Sequence, residues 1–125
     1  MKLLLVDDDD FLRDMYATKF SEAGHEVEVA KSGEVAIEKL KESEFDAVLF
    51  DVVMPGITGL ELMRQINEGN LGGKPACIAL TNQGEESDIK AAKEAGAAGY
   101  IVKADMIPSE VVEKVQSIVS NNSNK

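Results

Sequence analysis

Asp7, Asp8, Asp51, Thr81 and Lys103 each stand at the end of a short apolar run. Leu3-Leu4-Leu5-Val6 leads into Asp7-Asp8, Ala47-Val48-Leu49-Phe50 into Asp51, Cys77-Ile78-Ala79-Leu80 into Thr81, and Tyr100-Ile101-Val102 into Lys103. Carboxylates, a hydroxyl and an ammonium are the groups phosphoryl transfer uses: oxygen ligands for a hard cation, a carboxylate nucleophile, and donors for the phosphoryl oxygens. Aliphatic runs of this length, bounded by Gly, Pro and charge, read as buried strands of a parallel sheet. In an open α/β sheet, ligands bind just outside the carboxyl ends of the strands, so these side chains are predicted to converge on one edge.

Convergence has an electrostatic consequence. If Asp7, Asp8 and Asp51 approach to about 4 Å, each pair repels by roughly 4 kcal/mol at an effective dielectric of about 20. A divalent cation removes that repulsion. An oxygen-only site with open water positions suits Mg²⁺ better than zinc, because no His or Cys is at hand. With the cation in place an Asp can attack phosphorus and form an aspartyl phosphate, Thr81 donating to one phosphoryl oxygen and Lys103 placing its charge at another. Asp9 and Asp10 read instead as helix caps. His25, at a turn before a strand, is assigned no role, and Cys77 reads as a small core hydrophobe.

Between the apolar runs the spacing becomes helical. Leu12, Met15, Tyr16 and Phe20 recur at three and four, ending at Gly24, and Glu26 to Ala30 alternates as a short strand. Ser32 caps a second helix carrying Val35, Ala36, Ile37 and Leu40. Thr58-Gly59-Leu60-Glu61 has the form of a capping box, followed by Leu60, Met63, Ile66 and Asn67 as a stripe. A fourth helix is predicted over Gly84 to Ala95, stopped by Gly96, and a fifth from Pro108 with Val111, Val112, Val115, Ile118 and Val119 buried. Five βα units with short connections make an α/β, doubly wound, five-stranded parallel sheet.

A chain of 125 residues, 44% hydrophobic, is enough for one core, predicted here over 1–119 with a disordered polar tail over 120–125. The net charge of -10 and pI near 4.5 argue against nucleic acid or an anionic membrane as direct partners. The opening apolar stretch stops at Asp7, short of what a secretion signal needs, so the expected location is cytoplasmic.

These pieces together resemble the receiver domain of two-component response regulators, above all the single-domain, chemotaxis-type members. Val6-Asp7-Asp8, the run Asp51-Val52-Val53-Met54-Pro55-Gly56-Ile57-Thr58-Gly59 matching D-x-x-M-P-x-x-x-G, Leu80-Thr81 and Tyr100-Ile101-Val102-Lys103 occur in order, each at a strand end. The resemblance implies the flavodoxin-like strand order 2-1-3-4-5. It implies that Asp51 is the phosphoacceptor and that Asp8 and Asp51 ligate Mg²⁺ with the main-chain carbonyl of Val53, Asp7 holding the ion through water. Thr81 and Tyr100 would form the conformational switch, and Lys103 would contact the acyl phosphate. The implied partners are a histidine kinase or phosphotransfer protein and a downstream target docking on the surface made by Glu85 to Ala95, Gly99 to Val102 and Pro108 to Val119. The chain would be a monomer or a phosphorylation-dependent dimer, and a switch rather than an enzyme.

Three positions depart from the common family pattern. Ala104 follows Lys103 where many members have a cis proline, so a trans bond is expected. Asn82 adds bulk after the switch threonine. Val53, two past Asp51, cannot orient an attacking water, whereas Gln83 can. Competing readings are a phosphorylation-independent interaction module, a haloacid-dehalogenase-type phosphatase, and a flavin carrier. The second requires Thr or Val where Phe11 stands, and the third requires a phosphate loop where Asp7 to Asp10 would repel phosphate.

Overall fold

Alternate residues of each central strand point to opposite faces of the sheet, and here both faces are apolar. Leu3 and Leu5 pack on one side, Leu4 and Val6 on the other; Ala47 and Leu49 oppose Val48 and Phe50, and Ile78 and Leu80 oppose Cys77 and Ala79. All twelve are at most 3% exposed, so helices must cover both faces.

The computed structural model describes residues 1–123 except 53, 55, 70, 74, 82–85, 104 and 105, and only the backbone of 81, 86–88, 122 and 123. The elements in chain order are β1 (Lys2–Val6), α1 (Asp10–Glu22), β2 (Glu26–Ala30), α2 (Gly33–Glu42), β3 (Ala47–Asp51), α3 (Gly59–Gly69), a 3-10 turn (Leu71–Gly73), β4 (Ala76–Thr81), α4 (Glu86–Glu94), β5 (Gly99–Val102) and α5 (Pro108–Ser123). All pairings are parallel, in the order β2-β1-β3-β4-β5, as expected. Tyr16 and Phe20 of α1 and Val111, Val112, Val115 and Val119 of α5 close one face. Ala36 and Leu40 of α2, Leu62, Met63 and Ile66 of α3 and Ala92 of α4 close the other. Each fully buried Leu or Phe contributes about 1.5–3 kcal/mol, so these two layers hold the fold.

The helix ends follow local chemistry. Asp9, not Asp10, is the cap of α1, its side chain accepting from Leu12 N–H at 3.0 Å. Ser32 accepts from Val35 N–H at 3.2 Å and Thr58 from Glu61 N–H at 3.2 Å. The Glu61 carboxylate does not complete the reciprocal box, because it pairs with Arg64 at 2.9 Å. Gly24 and Gly96 end α1 and α4 at φ of +94° and +98°, conformations a side chain disfavours.

Two expectations need correction. Leu62, fully buried, belongs to the α3 stripe and exposed Asn67 does not; the Asn67 amide instead donates to the Ala95 carbonyl at 3.4 Å. α5 runs to Ser123, past the boundary expected after 119, because a helix anchored by Val115 and Val119 propagates through polar residues at little cost. His25, assigned no role, has its Nε2 2.8 Å from the Gln116 amide nitrogen. Asn82, Gln83, Gly84, Glu85 and the Lys103-Ala104 bond lie outside the described residues.

Candidate functional site

Strand register does the positioning. Val6 pairs with Phe50 and Asp51 with Leu80, so the chain leaves β1 at Asp7 beside Asp51. Thr81 pairs with Val102, which brings Lys103 out of β5 at the same edge. Asp7, Asp8 and Asp51 each offer a carboxylate oxygen, and these oxygens lie within 4.8 Å of one another. Asp7 is 1% exposed, Asp51 is half-buried and Asp8 is open to solvent.

Lys103 enters this cluster from β5. Its Nζ donates to Asp7 Oδ2 at 3.0 Å and to Asp51 Oδ2 at 3.5 Å. The same Nζ stands 6.0 Å from the centre of the Tyr16 ring, on α1. Burial pushes the Tyr16 phenol above its usual pKa, with Lys103 pulling it down and Asp7 pushing it up. Three carboxylates around one ammonium leave negative charge in excess, and at 4.8 Å each carboxylate pair repels by roughly 3.5 kcal/mol at an effective dielectric near 20. The donors of the cluster are oxygens only, half-open to water, which fits a small hard divalent cation such as Mg²⁺.

The loop after Asp51 is fitted closely to the site. A Cβ at Gly59 would collide with the Asp51 carbonyl and the Phe50 ring, so only glycine lets α3 begin this close to β3. Gly59 N–H donates back to the Val52 carbonyl at 3.2 Å. Met54 is buried at 5% exposure, anchoring the loop in the core rather than facing a ligand. From α2, Glu34 Oε1 accepts from Ile57 N–H at 3.2 Å. Its own backbone N–H, then that of Ile57, hold the Glu34 carboxyl below the usual range, against a smaller opposing effect of burial.

Among the expected site residues, Asp7, Asp8, Asp51 and Lys103 meet. Thr81 ends β4, its side chain outside the described residues, as is Val53. Tyr100 lies half-buried on β5, packed against the face covered by α2, α3 and α4, with Lys93 Nζ 5.3 Å from its ring centre. Next to it a groove of about 520 Å³ opens between α4, β5 and α5, lined by Lys93, Tyr100, Val102, Met106, Lys114 and Ile118. Sequence reasoning gave no site role to Arg13, Tyr16 or Glu34. Of these, only Tyr16 carried a signal, as a polar aromatic on a core stripe.

The family model of the response regulator receiver domain matches residues 3–116. The chain belongs to this family. The receiver is 34% identical to the chemotaxis protein CheY of Halobacterium salinarum, over 95% of this chain and 97% of that protein. It is 36% identical to the transcriptional regulatory protein ResD of Bacillus subtilis, over 94% of this chain but only 48% of ResD, so it spans about half the length of that relative. The solved structure of chemotaxis protein CheY4 of Vibrio cholerae superposes with a TM-score of 0.86 at 30% identity, covering 94% of this chain and 97% of that one. The chain is thus a receiver domain of the two-component response regulators, a family of signalling switches, and the dehalogenase and flavin-carrier readings are not favoured. Among the described residues, no helix is long and apolar enough to cross a membrane.

Proposed function

We propose that this receiver is switched by phosphorylation of Asp51. The observation that carries the reading is the placing of Lys103 Nζ between Asp7 and Asp51, with Asp8 open to solvent in the same carboxylate group. Asp51 attacks phosphorus through one carboxylate oxygen; a bond from that oxygen to phosphorus forms as the bond to the leaving group breaks. Asp8, Asp51 and the main-chain carbonyl of Val53 would hold Mg²⁺ directly, and Asp7 through water. When bound, the ion neutralises charge shared by the carboxylates and the phosphoryl oxygens. Lys103, already at Asp51, supplies positive charge to a phosphoryl oxygen, and Thr81 supplies its hydroxyl to another.

A phosphoryl group adds about -1.5 to -2 charges and three acceptor oxygens. Thr81 is drawn toward them, and the ring of Tyr100 follows into the space vacated, coupling the site to the α4-β5-α5 surface and its groove. A histidine kinase or phosphotransfer protein supplies the phosphoryl group, and a downstream protein docks on that surface. The receiver catalyses only its own phosphorylation and dephosphorylation, acts in the cytoplasm, and is a monomer or a phosphorylation-dependent dimer. Amide NMR with beryllofluoride and Mg²⁺ tests the coupling. Shifts are expected in α4, β5 and α5, and shifts confined to Asp7, Asp8, Asp51 and their neighbours would remove this face as the output surface.

A further inference from the structure

Arg13 stands in the first turns of α1 with 14% of its side chain exposed, and its guanidinium faces the backbone of the acid cluster rather than its carboxylates. Nη1 donates to the main-chain carbonyl of Asp7 at 3.1 Å. Nη2 reaches the solvent-exposed Asp10 Oδ1 at 2.6 Å. Among the described residues, Nε is buried with no hydrogen-bond partner. A buried unpaired N–H is unfavourable, so the side chain is held there by what its two other nitrogens do.

The Asp7 carbonyl is the point at which β1 stops. The Asp7 amide still donates to Ala30 O of the neighbouring strand at 3.1 Å, whereas the carbonyl accepts from Arg13. From there the turn is tied at each step. Asp7 Oδ1 accepts from Asp9 N–H at 2.9 Å, Asp9 Oδ1 from Leu12 N–H at 3.0 Å, and the Asp9 carbonyl from Arg13 N–H at 2.9 Å. Asp8 is the vertex of this turn, exposed and within the carboxylate group.

We infer that Arg13 is a positioning residue for the cation site: by clamping the Asp7 carbonyl from behind, it holds the Asp7–Asp9 turn in the shape that presents Asp8 to the ion. The inference rests on Asp7, Asp8 and Asp51 being the Mg²⁺ ligands. The charge and the hydrogen bond of Arg13 act in opposite directions. Positive charge near the site disfavours a divalent cation, so loss of charge alone would tighten binding. Loss of the clamp loosens the ligands and weakens binding. Asp10 offsets part of the charge at 2.6 Å, which leaves geometry dominant.

Calorimetric Mg²⁺ titration of the full chain and of Arg13→Met and Arg13→Lys separates the two effects, with thermal melts confirming that each variant is folded. Arg13→Met is expected to weaken Mg²⁺ about tenfold, the scale seen when residues behind metal ligands are removed. Acetyl phosphate labelling at saturating Mg²⁺ is expected to stay within about twofold of the parent, the split between affinity and rate that a positioning role produces. Arg13→Lys keeps the charge but not the planar fork, and is expected to weaken binding by roughly threefold. Mg²⁺ affinity equal to or tighter than the parent's in either folded variant overturns the inference. A parent chain that binds no Mg²⁺ overturns the ligand assignment beneath it.

Discussion

Lys103 and Asp7, 96 positions apart in the chain, meet at 3.0 Å with 5% and 1% of their side chains exposed. A buried pair of this kind is weak evidence for stability, yet removing one partner strands the other's charge. Lys103→Met is therefore expected to destabilise the fold by about 3–5 kcal/mol in chemical denaturation, whereas Lys103→Met combined with Asp7→Asn recovers much of that loss. Additive losses in the double variant would show that the pair is not coupled.

Asp8, exposed within the carboxylate group, adds repulsion when no cation is bound. Asp8→Asn is expected to raise ion-free stability by roughly 1 kcal/mol, with less gain in high salt because the group is exposed. Millimolar Mg²⁺ should raise the melting temperature of the parent and do so less in the variant. A variant less stable than the parent, with no Mg²⁺ shift in the parent, contradicts this.

Gly59→Ala places a methyl group against the Asp51 backbone carbonyl and the ring of the fully buried Phe50. Overpacking of this type costs about 1–3 kcal/mol, and here it also displaces Asp51. Denaturation midpoints and phosphoryl labelling are expected to fall together. Loss of neither would show that α3 shifts freely.

Glu34 gives the loop after Asp51 a pH dependence. Its folded pKa lies below the ordinary value of 4.5, so its contribution is present above that value and is lost as pH falls through the folded one. The stability difference between the parent and Glu34→Ala is expected at pH 7 and should shrink as pH falls below 4.5 and through the lowered folded value. A difference that persists unchanged at low pH would assign the latch to something other than the carboxylate.

The strand ends were legible in the sequence because burial on both faces writes an unbroken apolar run that stops abruptly at charge, as at Phe50-Asp51 and Val102-Lys103. Strand register, and hence the meeting of Lys103 with Asp7, follows from the fold and not from any local pattern. Arg13 and Glu34 escaped notice for one reason: each acts on a backbone group elsewhere, the Asp7 carbonyl and the Ile57 N–H, and a charged residue on a helix surface looks the same whether or not it does this. Leu62 was missed and Asn67 wrongly included because a stripe of apolar spacing leaves its phase open by one residue. The extension of α5 to Ser123 reflects helix propagation from a buried anchor, which polar side chains do not announce.

Mass spectrometry after incubation with acetyl phosphate and Mg²⁺ tests the central claim most directly. A single phosphoryl adduct mapped to Asp51 is expected, absent from Asp51→Ala and retained in Asp9→Ala and Asp10→Ala. An unchanged adduct in Asp51→Ala, or none in the parent while Mg²⁺ binds, would contradict the account.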